Sequence, residues 1–245
     1  MLNREKHRAV MGRILKDIAS DTVLTTSLGF KGGTAAYFFY TLPRFSVDLD
    51  FDLLDGDESR FPIIQERIAN ILKEYGSVLE SRTKRFTLFS LLSYGKADHN
   101  VKVEINTRMP LANMRSRFEA KRHLGLSLFV GKQATLFAGK LAALTDRRET
   151  AMRDIYDAWY FAKNFWDIDA ELLKSLTGKT IPDHLTDCIA LIQTVKDNEI
   201  LQGLGELLDE RDKTWVRAHL RTEAVAMLEN YRDSISTTKA NASVL

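Results

Sequence analysis

Cysteine and long apolar runs are scarce in this sequence, and each scarcity excludes a class of protein. Cys188 is the single cysteine among 245 residues, which rules out an internal disulfide and a cysteine-rich metal site. No apolar run reaches the roughly 18 residues of a membrane-spanning helix, and the charged N-terminal residues lead into no signal-peptide core. We therefore expect a cytoplasmic protein that does not contact a membrane.

Several well-known catalytic motifs are also missing. The sequence has no Gly-x-Ser-x-Gly elbow, no Gly-x-Gly-x-x-Gly fingerprint and no P-loop with Gly-Lys-Ser/Thr at the required spacing. Its five histidines have no metal-ligand spacing. Serine hydrolases, Rossmann enzymes and P-loop NTPases therefore find no support here.

The charge is nearly balanced overall, at a formal +2, but unevenly distributed along the chain. Between residues 48 and 75, eight acids accompany three bases, whereas between residues 76 and 148 fourteen Lys and Arg accompany five acids. A local basic excess fits a polyanionic partner such as RNA or a triphosphate. It fits equally a solvated surface whose bases pair with acids elsewhere in the fold.

Aspartates alternate with apolar residues from residue 47 to residue 53, in the order Val-Asp-Leu-Asp-Phe-Asp-Leu. Successive side chains of a strand point to opposite faces, so Asp48, Asp50 and Asp52 share one face. Mg²⁺ is usually held by one or two carboxylates plus substrate phosphates. We expect Asp48 and Asp50 to bind Mg²⁺ or Mn²⁺, with Asp52 as a further ligand or a bystander.

A glycine pair precedes this strand, after a run at residues 23–29 that we predict to be a short strand. Gly32 and Gly33 permit close backbone approach to a phosphate, and amide groups at a helix start point towards an anion. The hydroxyl of Thr34 adds a donor. The alternative is a tight turn in which Thr34 caps the following helix.

A third carboxylate, Glu104, lies on a predicted strand at residues 101–106. The apolar residues of that strand take one face, and Lys102, Glu104 and Asn106 take the other. If this strand neighbours the aspartate strand, Glu104 would bind metal or accept a proton from an attacking hydroxyl. The alternative is a solvent-exposed face on which Lys102 pairs with Glu104.

Charged residues also occur in the helical second half. Lys140 falls within the apolar stripe of its helix, where an inward lysine needs a partner such as a triphosphate, unless its stem carries it to water. Arg153 and Asp157 have the i, i+4 spacing of a surface ion pair. This pair does not account for Asp154, which lies between them.

The order of these elements predicts an α+β protein. We expect a domain with a mixed sheet at residues 1–130, a helical domain at residues 131–233 and a loose tail at residues 234–245.

These motifs, taken in order, resemble those of the nucleotidyltransferase AbiEii/AbiGii toxin family. That resemblance implies a polymerase-β-like nucleotidyltransferase core followed by a helical bundle, with Mg²⁺-dependent transfer of a nucleotide from an NTP. It also implies a cognate antitoxin, in a toxin–antitoxin or phage-defence pair, and an RNA acceptor, since characterised relatives extend tRNA acceptor ends. The segments that carry it are Gly32-Gly33-Thr34, Arg44-Phe45-Ser46-Val47-Asp48-Leu49-Asp50-Phe51, Val103-Glu104-Ile105, Lys140 and Arg153-Asp154-Ile155-Tyr156-Asp157.

The resemblance assigns roles to residues of both halves. Asp48 and Asp50 would hold the metal, and the Gly32-Gly33-Thr34 loop the distal phosphates, with threonine where the family often has serine. Lys140 would contact the triphosphate, and Asp154 would be the aspartate of the family's Arg-Asp element. Two other functions fit the same fold: transfer to a small-molecule hydroxyl such as that of an antibiotic, and nucleotide binding without catalysis.

Overall fold

A computed structural model describes most of the chain, and its contacts divide the chain into two compact units, residues 1–132 and 133–245. The described residues are 3–95, 99–108, 111–123, 125–147 and 149–242. The fold is α+β with a mixed sheet, as the sequence predicts.

The first unit combines a sheet with four α-helices in the described residues. The helices are α1 (Arg4–Ser20), α2 (Thr22–Ser27), α3 (Gly32–Phe39) and α4 (Phe61–Lys73). The strands are β1 (Leu28–Lys31), β2 (Leu49–Leu53), β3 (Ser77–Lys84), β4 (Thr87–Ser93), β5 (Asn100–Asn106), β6 (Phe118–His123) and β7 (Leu126–Gly131).

The strands of this unit form one sheet in the order β3-β4-β5-β2-β1-β7-β6. β2 lies at its centre, parallel to β5 on one side and antiparallel to β1 on the other. β1 also pairs in parallel with β7, and the remaining neighbours are antiparallel. The strand with the alternating aspartates is therefore flanked by strands from distant parts of the sequence.

Alternation of apolar and polar residues explains how the central strands are buried. In β2, the residues Leu49, Phe51 and Leu53 are at most 1% exposed. The matching apolar residues of β5 are equally buried: Val101, Val103 and Ile105. Because side chains alternate along a strand, the polar residues of β2 and β5 share the opposite face. This confirms the predicted orientation of both strands.

Residues 23–29 differ from the prediction, because most of them are helical. The predicted strand is replaced by the helix α2 up to Ser27, and only the residues from Leu28 onwards are extended. The Asp21 carboxylate accepts hydrogen bonds from the backbone N–H groups of Val23 and Leu24, at 2.9 and 3.0 Å. Such a cap stabilises a helix start by about 1 kcal/mol. Arg67 Nη1, 2.7 Å from Asp21, fixes the capping carboxylate further.

The second unit is helical throughout its described elements. Its α-helices are α5 (Gln133–Asp146), α6 (Met152–Lys163), α7 (Ala170–Thr177), α8 (Ile181–Gln193) and α9 (Glu210–Ala242). α9 packs against α6 and α8, and α5 packs against α6, α7 and α8. The predicted loose tail is wrong for residues 234–242, which continue α9, whereas residues 243–245 lie outside the described residues.

Among the described helices, none combines the length and the apolar content needed to cross a bilayer.

Candidate active site

The polar face of β2 carries a row of charged side chains at the centre of the sheet. Asp50 is in register with Lys31 of β1 on one side and with Glu104 of β5 on the other. Asp52 is in register with Asn106 in the same way. Residues in register on neighbouring strands project from the same face. The predicted adjacency of Glu104 to the aspartate strand is therefore confirmed.

The glycine loop lies directly against this row. Gly32 has a φ of +77°, and a Cβ built at this position would be 2.6 Å from Asp50 Oδ2. A Cβ at Gly33 would be 2.5 Å from Arg44 Nη2 and 3.2 Å from Ser46 Oγ. Two residues without side chains thus let the start of α3 approach the aspartates closely, which joins the two motifs into one site.

Thr34 has a different position from the one expected of a phosphate contact. Thr34 is fully buried. Its hydroxyl lies 2.8 Å from Ser46 Oγ and donates a hydrogen bond to the carbonyl oxygen of Asp48. It is also not the helix cap, since Lys31 occupies the N-cap position of α3. Thr34 therefore anchors the backbone that carries Asp48 to the glycine loop.

His7 fixes the preceding peptide of the same segment. Its Nε2 lies 2.9 Å from the carbonyl oxygen of Val47, and its Nδ1 lies 2.6 Å from the hydroxyl of Tyr94. An Nε2–H donating to Val47 leaves Nδ1 to accept from Tyr94, which is the neutral form of the ring. Burial lowers the pKa of His7, in agreement with this neutral form. This role of His7 could not be predicted from the sequence, because no spacing relates residue 7 to residue 47.

Lys102 compensates part of the negative charge of the row. Lys102 Nζ lies 3.2 Å from Asp48 Oδ2 and 3.4 Å from Glu104 Oε2. Burial alone would lower the pKa of Lys102, but the carboxylates of Asp48 and Glu104 outweigh it and raise the pKa. Glu104 thus pairs with Lys102, as the alternative interpretation of the sequence predicts. The pair does not stand apart from the aspartates, however, because Lys102 also contacts Asp48.

Asp52 is occupied by neighbours on both sides. Lys31 Nζ lies 2.5 Å from Asp52 Oδ1, and Asn106 Nδ2 donates to the same oxygen at 2.7 Å. The Asp52 residue is 6% exposed. These contacts identify Asp52 as a structural bridge between β1, β2 and β5, and they separate it from Asp48 and Asp50.

Asp50 is held in an environment that disfavours its charge. Burial, followed by repulsion from Asp48, raises the pKa of Asp50 to about 6, against an opposing attraction from Lys31. A divalent cation would relieve this repulsion. Among the residues that the structure describes, no group of three His, Cys, Asp or Glu side chains is arranged to hold a metal ion. Mg²⁺ is often held by only one or two protein carboxylates, with substrate phosphates as further ligands, so the donor set of Asp48 and Asp50 would suit this ion.

A second charged cluster lies within the helical unit. Lys140 Nζ is 2.7 Å from Asp154 Oδ1 and 2.9 Å from Asp157 Oδ2, and Arg147 Nε is 3.0 Å from Asp154 Oδ2. The two aspartates are fully buried. The prediction that Asp157 forms a surface pair with Arg153 is therefore wrong. The inward position of Lys140 is confirmed, and its partners are the two carboxylates.

The structure thus brings the predicted residues together in two groups. The first unit holds the glycine loop, Asp48, Asp50 and Glu104, and the second holds Lys140 with Asp154. A model of the nucleotidyl transferase AbiEii toxin of type IV toxin–antitoxin systems matches residues 13–236. The chain belongs to this AbiEii family.

Solved structures agree with the AbiEii membership at the level of the fold. JHP933 from Helicobacter pylori has a TM-score of 0.64 and 18% identity, over 100% of this chain and 98% of its own. MenT4, a nucleotidyltransferase toxin from Mycobacterium tuberculosis, has a TM-score of 0.56 and 21% identity, over 94% of this chain and 90% of its own. No curated protein sequence matched the chain.

Replacement of Gly32 by alanine tests the contact between loop and aspartate. Gly178 is the matched control, because its φ of +73° is similar but a Cβ there would have nothing within 4 Å. We expect Gly178→Ala to cost about 1–2 kcal/mol of unfolding free energy for the left-handed backbone. Gly32→Ala should cost a further ~1–3 kcal/mol for the clash with Asp50. Equal losses in urea denaturation would contradict the close approach.

The raised pKa of Asp50 predicts a pH-dependent effect of Asp50→Asn in metal-free buffer. The folded protein binds the Asp50 proton more tightly than the unfolded chain does, so ionisation of this group costs stability above pH 6. Asp50→Asn should therefore raise the melting temperature at pH 8, with an advantage that shrinks as the pH falls through 6 and is gone below about pH 4.

Asp52→Asn is the control for this measurement. It removes the partner of the Lys31 ammonium group, so it should lower the melting temperature at pH 8. A loss of stability in both variants at pH 8 would overturn the assigned difference between Asp50 and Asp52.

Proposed function

We propose that this chain is a Mg²⁺-dependent nucleotidyltransferase, active also with Mn²⁺, that transfers a nucleotide from an NTP to an RNA 3′ end such as that of a tRNA. As a member of a toxin family, it would be opposed by a cognate antitoxin protein in a toxin–antitoxin or phage-defence pair. The observation that carries the catalytic proposal is the approach of the Gly32 backbone to the Asp50 carboxylate. This contact supports one site that holds both a polyphosphate and its cation.

The glycine loop would hold the triphosphate in this proposal. The amide groups of Gly32 and Gly33 lie at the N-terminus of α3, where helix amides favour an anion. Lys31 directly precedes them, and its ammonium group adds positive charge next to the loop while it holds Asp52. Thr34 contributes indirectly, through its bond to the Asp48 carbonyl oxygen.

Asp48 and Asp50 would be the metal ligands. Bound Mg²⁺ would neutralise charge on the phosphates and polarise the α-phosphorus towards attack. The RNA hydroxyl would form the new bond to that phosphorus, and pyrophosphate would leave as the bond to the β-phosphate oxygen breaks. Glu104, adjacent to Asp50 in the sheet, would accept the proton of the attacking hydroxyl, and Lys102 would stabilise the charges of Asp48 and Glu104.

Lys140 and Asp154 enter the proposal on separate grounds. The ion pairs of Lys140 with Asp154 and Asp157 hold the lysine in one orientation within the helical unit. Contact of Lys140 with the triphosphate stays a prediction from the family resemblance.

A transfer assay tests the proposed activity. Purified protein with Mg²⁺, each α-labelled NTP in turn and total tRNA should label the RNA, and Asp48→Asn should reduce labelling at least about 100-fold, since a metal contributes several kcal/mol. Asp55→Asn, an exposed aspartate beyond the end of β2, should leave it unchanged. Labelling that survives Asp48→Asn would contradict the metal role. Absence of labelling with every NTP would contradict RNA as the acceptor.

A further inference from the structure

An exposed aromatic ring with two guanidinium groups lies at the turn between β3 and β4. Phe86 is 40% exposed. The guanidinium carbons of Arg85 and Arg108 lie 4.9 and 4.5 Å from the centroid of its ring. Lys84 lies at the same turn, with its Nζ 3.6 Å from the centroid of the Phe89 ring. These four residues, Lys84, Arg85, Phe86 and Arg108, are called the Phe86 platform.

The positive charges of the Phe86 platform have no acidic partner in the described part of the chain. Lys84, Arg85 and Arg108 form no ion pair there, whereas nearby Arg82 pairs with Glu80. Two guanidinium groups on one exposed ring, with a third unpaired cation at the same turn, attract a polyanion that also presents flat apolar surface. Nucleic acid has both properties, since its phosphates are charged and each base has a π-face.

An exposed aromatic ring by itself does not indicate a nucleic-acid contact. Phe165 in the helical unit is 84% exposed, and no cation packs on its ring among the described residues. The combination of ring and cations distinguishes Phe86 from this second exposed phenylalanine. Phe165 therefore serves as a control.

Hydrogen bonds connect the Phe86 platform to the end of the charged row. The carbonyl oxygen of Phe86 accepts from the backbone N–H of Thr107 at 3.1 Å. The side chain of Asn106 lies 3.3 Å from the carbonyl oxygen of Arg108 and donates to Asp52 at 2.7 Å. Standard strand spacings place Phe86 roughly 14 Å from Asp50. A few nucleotides of single strand span such a distance.

We propose that the Phe86 platform binds the single-stranded segment of the acceptor RNA next to its 3′ end. One base stacks on the Phe86 ring, and phosphates of the same segment contact Lys84, Arg85 and Arg108. A duplex fits less well, because its bases are already stacked on each other and are not free for the ring. This inference rests on the proposed RNA acceptor, but it concerns binding and not transfer.

Fluorescence anisotropy with a labelled single-stranded RNA of about eight nucleotides tests the Phe86 platform, without NTP or Mg²⁺. We expect Phe86→Ala to raise the Kd about 5- to 100-fold, the usual loss on removal of a stacking aromatic. Phe86→Tyr, which keeps the ring, should bind like the wild type, and so should Phe165→Ala. Because Phe86 is exposed, unchanged melting temperatures should show that all three variants fold.

The cations are tested by the salt dependence of the same binding. Arg108→Gln should reduce the slope of log K against log salt by about 0.7, the value for one phosphate contact on a single strand. An unchanged Kd in Phe86→Ala, or tighter binding of a blunt duplex of the same sequence, would overturn the inference. So would loss of antitoxin binding in Phe86→Ala with RNA binding intact, because the surface would then belong to a protein partner. None of these results depends on Asp48, so failure of the Phe86 platform and failure of transfer are distinguishable.

Discussion

The close approach of the Gly32 backbone to the Asp50 carboxylate is the contact on which the site depends. It exists because β1 and β2 are antiparallel neighbours with Lys31 and Asp50 in register, so the chain leaving β1 passes directly over the aspartate. A left-handed φ and a missing Cβ are both needed at that point. The contact joins a glycine loop and a pair of carboxylates, neither of which is specific by itself, into one local structure.

Electrostatics explain how one strand carries three aspartates on a single face. The charge of Asp52 is compensated by Lys31, and Asn106 donates a hydrogen bond to the same carboxylate, so Asp52 connects neighbouring strands of the sheet. Lys102 bridges Asp48 and Glu104 and reduces their repulsion. Asp50 retains an unfavourable charge, and its raised pKa reports that cost. A cation between Asp48 and Asp50 would remove the repulsion between the two carboxylates. The electrostatic cost at Asp50 and the proposed metal binding therefore both follow from the position of this aspartate pair.

Local patterns in the sequence were sufficient to predict part of this arrangement. The period of two in β2 and β5 identified the buried and polar faces, since that period is a direct consequence of strand geometry. The glycine pair identified a close backbone approach. The family resemblance then connected the segments, and the match over residues 13–236 confirmed it.

Long-range contacts could not be predicted from the same patterns. The strand predicted at residues 23–29 was wrong because capping by Asp21, supported by Arg67 from α4, outweighs the β-branched residues there. The direction of the Thr34 hydroxyl depends on the path of residues 40–48, which no periodicity describes. The i, i+4 spacing of Arg153 and Asp157 predicts a surface pair, whereas the observed partner of Asp157, Lys140, belongs to another helix.

Binding of Mn²⁺, followed by electron paramagnetic resonance in the presence of a non-hydrolysable NTP analogue, tests the central claim most directly. Wild-type protein should bind Mn²⁺, Asp48→Asn and Asp50→Asn should each weaken that binding at least about 10-fold, and Asp52→Asn should retain it. If Asp50→Asn binds Mn²⁺ as tightly as the wild type does, the aspartate pair beside the glycine loop is not a metal site.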